Sequence, residues 1–413
     1  MDVLIRNKMF KKSIPVFAVA AALGLITACD ESRDVNGVTP NEIKANYVQM
    51  AHAVYNDSLT TATALQQAVT LFIATPTEAN LLAARAAYKE ARIPYQQSEI
   101  MRFDSAITVD KNLSADGGLS SVDDWEGQVN AWPLDENHID SIINGNDEIN
   151  IDLLLAQNNA GENEANVTTG VHAIEYMLWG ADNNGVNAGA GERPASDYDV
   201  ANCADTLCER RAQYLSAAAN LLVNDLTAMV AEWTPAAAVT PGTLSYNFMD
   251  SELALDYIIG SIHAMATDEL AGARMNSGLF TGDTEEEHDC FSDLSHVAIY
   301  YNFQGVKNAF YGEYQDVKGS SIGDLINSID PNTYNTIDQA LQSIDGHMSA
   351  VLSFGERTEN TVRFDQIIGQ SSSAPERMIA EQAVSELFAL DAELRIAANV
   401  LSLSDIDVEG SGD

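Results

Sequence analysis

Apolar residues recur at helical spacing along nearly the whole of this chain. Tyr334, Ile337, Leu341, Ile344, Met348 and Val351 step by three and four, which puts all six on one stripe of a helix. Leu387, Leu390, Leu394, Ala397 and Leu401 do the same near the C-terminal end. No comparable run alternates with period two, so the chain is expected to be all-α. Thr39 and Pro40 read as the N-cap and first turn of a helix that runs to about Thr75, where Pro76 ends it. Further helices are expected over about 77–102, 167–179, 205–233, 246–276, 285–314, 332–353 and 375–402.

The 413 residues are enough for two domains, each with its own core. The segment Thr234 to Thr243 (TPAAAVTPGT) separates two strongly helical regions, and the boundary is expected there. Two packed helical bundles follow, residues 39–234 and 243–413, each with about four long helices. An internal echo lays Gly170–Tyr176 over Gly305–Tyr311 with glycine, valine and tyrosine matching. Lys307 and Phe310 then stand where the first copy has His172 and Glu175. A degenerate duplication is one reading, and chance likeness between two amphipathic helices is the other. The connections 104–124 and 181–197 are longer than a simple bundle needs and are candidate site-forming loops.

Charge narrows the function. With 61 acidic against 21 basic side chains the formal net charge is −40, which leaves no basic stripe to neutralise phosphates and excludes nucleic acid as a partner. The acids are scattered and 46% of residues are hydrophobic, as in a folded chain with a heavily solvated surface. Residues 1–28 have the form of a secretory signal: a basic stretch ending in Lys11 and Lys12, an apolar run from Ile14 to Ile26, then small residues. The run is too short for a membrane span. Ile26-Thr27-Ala28-Cys29 resembles the bacterial lipobox, in which cleavage precedes the cysteine and lipid is added to it. Cys29 would then be the lipidated first mature residue and 29–38 a tether. The expected location is the periplasm of a Gram-negative bacterium, anchored to its inner or outer membrane. The rival is an ordinary signal with an incidental cysteine. Cys203 and Cys208 could close a small disulfide loop, with a zinc site as a poorer rival because no CxxC or nearby histidine accompanies them. Cys290 is left over, either buried or paired with one of the others.

The sharpest chemical feature is GVHAIEYMLWG, residues 170–180. On a helix, His172 and Glu175 share a face with Cβ atoms about 5–6 Å apart. An imidazole and a carboxylate held that way can grip one cation, as Glu-x-x-His pairs do in di-iron bundles. Their neighbours Val171, Ile174, Met177, Leu178 and Trp179 are apolar, so the pair is expected to be buried, where a carboxylate needs a metal, an arginine or a donor. The same spacing also suits a plain arrangement, with Glu175 on a buried arginine and His172 on a carbonyl.

GVHAIEYMLWG closely resembles the GxHxxE motif of the imelysin family, iron-regulated periplasmic proteins that include members labelled as peptidases. ARIPYQQSEIMRF (91–103), VNAWPLDE (129–136), CERRAQYL (208–215), ELAGARM (269–275), HDCFSDLSH (288–296) and GVKNAFYGEY (305–314) carry the resemblance along the mature chain. Leu294 and Ser295 depart from the Asn-Thr expected in that turn. The resemblance implies two bundle-like domains with a site near their interface, a link to iron acquisition and a peptidase label. It makes His172 and Glu175 the central metal ligands, with Glu99, Asp293 and His296 as further candidates and Arg102, Trp132 and Asp135 around the cleft. Glu99 with Arg102, and Asp293 with His296, are each three apart and could face the same cleft. A salt bridge for the first pair and a helix cap at Asp293 are the competing readings. Trp132 and Pro133 are expected to start a short helix and wall the cleft, with Asp135 and Glu136 in its first turn. The implied cofactor is a metal ion, iron first and zinc second. The implied partners are that ion or an iron chelate, the membrane through the lipid anchor, and iron-uptake proteins. The competing functions are a peptidase, for which HExxH and GxSxG are both missing, and a non-catalytic module for a peptide or haem.

Overall fold

A computed structural model describes residues 37–102 and 120–404. The signal segment, Cys29, the tether through residue 36 and most of the 104–124 connection lie outside them. Helix α1 (Pro40–Ala74) opens on a capping box: the Thr39 hydroxyl accepts from the Glu42 amide, and the Glu42 carboxylate accepts from the Thr39 amide at 2.9 Å. Thr77 caps α2 (Glu78–Ser98), which tightens at its end into a 3-10 turn, Glu99–Met101. Short helices α3 (Ser120–Val129), α4 (Glu136–Asn144) and α5 (Ile151–Gln157) lead to α6 (Gly170–Trp179) and the long α7 (Cys208–Trp233).

In the expected boundary segment, Pro235–Val239 form a 3-10 turn before α8 (Leu244–Asp250) and α9 (Ala254–Ala264). The latter continues through a π-helical stretch, Met265–Asn276, into α10 (Ser277–Thr281). Then come α11 (Ser295–Tyr311), two two-residue antiparallel strands (Glu313–Tyr314 and Val317–Lys318), α12 (Ile322–Ile329), α13 (Pro331–Glu356), α14 (Phe364–Gly369) and α15 (Pro375–Leu401). The architecture is all-α, as the apolar spacing implies. Among the described residues no helix is long and apolar enough to cross a membrane.

Helix α1 packs along α2 and α7, while α13 packs along α15, and α15 along the π-helical stretch. The stripe from Ile337 to Val351 on α13 is buried against Leu387, Leu390 and Leu394 of α15, each large side chain contributing about 1.5–3 kcal/mol. The seam between the two groups of helices is α2 on α11. Gly305 lets these helices approach: a Cβ there would lie 2.9 Å from the Gln97 carbonyl oxygen and 3.4 Å from Gln97 Cα. The echoed Gly170 has another task. It stands at φ +77° at the start of α6, where a Cβ would run into the Val129 carbonyl.

Two helix expectations need correction: the 246–276 helix is interrupted between α8 and α9, where Ser251 is extended, and the 285–314 helix starts late. Residues 285–294 do not continue α11 backwards; they form a turn, because Asp293 adopts φ +51°, which a right-handed helix cannot pass through. Replacing Gly305 by alanine is expected to destabilise the fold by about 1–3 kcal/mol through overpacking against α2, read by urea denaturation. The surface change Gln342→Ala on α13, away from this seam, should leave the midpoint nearly unchanged.

Candidate metal centre

The turn before α11 brings its polar side chains to the His172–Glu175 pair. Both residues of the pair are fully buried on α6, with His172 Nδ1 2.9 Å from Glu175 Oε2. The other carboxylate oxygen, Glu175 Oε1, accepts from the Ser292 amide at 2.9 Å and the Ser292 hydroxyl at 2.6 Å. Burial pushes the Glu175 carboxyl up, while the His172 contact pulls it back and the nearby Asp289 charge adds to the rise. A neutral His172 that donates through Nδ1–H to Glu175 presents a lone pair at Nε2. That Nε2 is buried and has no hydrogen-bond partner among the described residues.

Two rings wall the imidazole. Trp132 lies edge-on at 5.1 Å between centroids, and His288 at 4.6 Å. Burial, followed by the positive charge of Arg274, holds His288 well below the usual histidine range and keeps it neutral. A cavity of about 390 Å³ opens beside these rings, lined by Trp132, Pro133, His288, Glu269, Arg274 and neighbouring residues. A larger, shallower hollow of about 690 Å³ near α5 and α7 has no histidine in its lining.

Asp289 completes the group: one ligand atom from each of His172, Glu175 and Asp289 lies within 4.8 Å of the others. Its carboxylate is gripped by Arg92 of α2, with Nε 2.8 Å from Oδ1 and Nη2 3.0 Å from Oδ2. Burial works to raise the Asp289 pKa, but the Arg92 guanidinium, the His288 contact and the nearby His172 together outweigh it and hold the carboxyl well below the usual range. Arg92 Nη1 also donates to Asn130 Oδ1 at 2.6 Å, and Asn130 donates in turn to Glu126 at 2.7 Å. The network continues to Glu99, 2.6 Å from Arg274, and to Arg102, which donates to Glu269 at 2.7 Å. Four buried carboxyls (Glu99, Glu126, Glu269 and Asp289) and three buried guanidiniums (Arg92, Arg102 and Arg274) thus form one network beside Glu175.

The sequence candidates separate here. His172 and Glu175 face inward together, with Trp132 against the ring. Glu99 belongs to the arginine network rather than to the group around His172, because Arg274 occupies it. Arg102 sits in that same network. Asp135 is corrected to an N-cap: its Oδ1 accepts from the Asn137 amide at 3.0 Å, and α4 begins at Glu136, after Trp132 and Pro133. Asp293 and His296 do not repeat the helical pair, since Asp293 lies in the turn and only His296 is in α11. His296 Nε2 meets Glu356 of α13 at 2.9 Å, whereas Asp293 pairs with Arg363 at 3.2 Å. Cys203 and Cys208 are disulfide-bonded, and Cys290 is buried and free. Arg92, His288, Asp289 and Ser292 were not among the candidates, although the last three stand in HDCFSDLSH.

The model of the family described as Imelysin matches residues 51–394. The chain belongs to the imelysin family. Among solved structures, an iron-regulated protein A precursor from Parabacteroides distasonis ATCC 8503 aligns at 17% identity with a TM-score of 0.62, covering 90% of this chain and 97% of that one. An imelysin-like protein from Psychrobacter arcticus 273-4 aligns at 12% identity with a TM-score of 0.56, covering 90% and 98%. At these identities the likeness establishes a shared fold. No curated protein matches the chain by sequence.

In this imelysin the Arg92–Asp289 pair supports the centre from below. Arg92→Met should leave Asp289 buried and unpaired, costing about 3–5 kcal/mol at pH 7 in denaturant titrations. Asp289 is depressed in the folded state, so the pair's stabilisation is complete above the unfolded carboxylate pKa of about 4 and declines as pH falls below it. The gap between wild type and variant should therefore narrow below about pH 4.

Proposed function

We propose that this imelysin-family protein binds a metal ion, with iron as its cargo either free or as a chelate, at the centre built on His172 and Glu175, and that it serves iron acquisition. The observation that carries the reading is the fully buried His172 Nε2 with no hydrogen-bond partner, beside two carboxylates within ligand range. Glu175 on Nδ1 is the carboxylate–histidine arrangement that orients an imidazole and raises its basicity toward a metal. Nitrogen and carboxylate donors suit iron in either common state and also zinc. The name of the Parabacteroides distasonis neighbour, an iron-regulated protein, favours iron. The lipobox-like Ile26–Cys29 segment supports an exported lipoprotein held at a membrane facing the periplasm, where iron-uptake proteins would receive the cargo.

A peptidase reading finds less support in this geometry. A metalloprotease needs a carboxylate free to act as base, yet Glu175 is held by His172 and Ser292, and Asp289 by Arg92.

Isothermal titration of the purified protein with ferrous ion under anaerobic conditions, and separately with zinc, tests the proposal. One equivalent should bind to wild type and be lost in His172→Ala. Glu175→Gln should weaken it about 10–100-fold, as expected for a carboxylate that positions a ligating histidine. Equal titrations for wild type and His172→Ala would defeat the reading. Substrate cleavage blocked by chelators and lost in Glu175→Gln would replace it with the peptidase.

A further inference from the structure

Behind the same turn lies a second group of acids that the centre does not use. Glu287 and Asp293 come from the turn and Asp365 from α14, and one oxygen from each lies within 4.8 Å of the others. None is more than 1% exposed. Their nearest donors are the Arg363 guanidinium on Asp293 Oδ2 at 3.2 Å, the Ser295 hydroxyl near Glu287 and the Gln366 amide near Asp365. These leave Glu287 Oε2, Asp293 Oδ1 and both oxygens of Asp365 without a hydrogen bond among the described residues. Asp365 is the telling member, since this fully buried carboxylate gives an oxygen to the group and neither of its oxygens has a hydrogen bond among the described residues.

Buried polar atoms are ordinarily paired, and an isolated buried carboxylate is costly. Here three carboxyls face one guanidinium, so full ionisation leaves an excess of two negative charges, to which the nearby Asp182 adds, and a divalent cation would offset it. The donors are oxygen only, with no sulfur or imidazole among them, which selects a hard cation over zinc or copper. Three carboxylates offer up to six oxygens, one of them shared with Arg363, and the flexible six-to-eight-oxygen shell of calcium accommodates mixed monodentate and bidentate binding. Burial is also the main reason Asp293 and Asp365 are pushed up to about 6 and about 7, so proton uptake is the alternative way to relieve the group.

We propose that Glu287, Asp293 and Asp365 form a structural site for a hard divalent cation of the calcium class, which fixes the turn that places Asp289 and Ser292 against the His172 centre. The site shares only that turn with the proposed cargo centre and does not rest on the cargo reading.

Calcium titration of the chelator-treated full chain, followed by calorimetry and by thermal melting, tests it. Wild type should bind one calcium equivalent and melt progressively higher as calcium is added. Asp365→Asn, nearly isosteric, should weaken calcium binding at least tenfold. In chelator this variant should melt no lower than wild type, because a repelling charge has gone, so loss of binding cannot be mistaken for misfolding. His172→Ala should keep the calcium response. The proposal is overturned if calcium, magnesium and manganese all leave wild type unchanged, if Asp365→Asn responds as wild type does, or if the response disappears in His172→Ala instead.

Discussion

A carboxylate in the interior of a helical bundle needs a cation, a donor or a proton, and this constraint organises the middle of the molecule. Asp289 meets it with Arg92, an ion pair with one hydrogen bond from Nη2, joining α2 to the turn before α11. Glu99 and Glu269 meet it with Arg274 and Arg102, which ties the end of α2 to the π-helical stretch. Glu175 meets it differently, through an imidazole and two donors from one serine, so the charge is held but no guanidinium blocks its surroundings. That difference separates the structural acids from the acid beside the candidate ligand.

The backbone that delivers these groups is irregular where it has to be. Regular α-helices bring the long apolar stripes together and carry Arg92, His172 and Glu175, while other polar residues come from a π-helical stretch and a turn with Asp293 in left-handed geometry. Widened helical turns are uncommon and often lie at functional sites. Here one carries Glu269 and Arg274 into the network, and Arg274 also reaches Asn302 of α11 at 2.6 Å. The close seam at Gly305 brings α2 and α11 near enough for Asn302 to donate to the Gln96 carbonyl at 2.9 Å, so packing and polar network fix the same register.

Periodicity and capping carry much of this into the sequence. The α13 stripe, the Thr39 start of α1 and the Pro76 stop are local signals, and each has its local structure. The His172–Glu175 pair is legible for the same reason, since i,i+3 spacing on a short helix needs nothing distant. Asp293 and His296 show where such reasoning fails: the spacing is identical, but Asp293 is itself left-handed and the two side chains part toward Arg363 and Glu356. Arg92 and Asp365 have no local mark, because what makes them important is a partner about two hundred residues away for the first and more than seventy for the second. A signal was present in Glu285 to Asp293, where five acids and a histidine crowd a stretch expected to be helical. That density argues for a turn with polar work to do.

The hydrogen bond within the HxxE pair also decides how the pair can act. Chelation by both side chains through Nδ1 and Oε2 would require a cation to break the 2.9 Å contact and replace a donor already optimally placed. Approach at Nε2 breaks nothing, because that nitrogen has no partner to lose and Glu175 continues to fix the ring. The carboxylate is then a positioning group as much as a ligand, and Asp289 can join only to the extent that Arg92 releases an oxygen. Helical spacing cannot distinguish these roles, since it sets the distance between Cβ atoms and not which ring nitrogen is left unpaired.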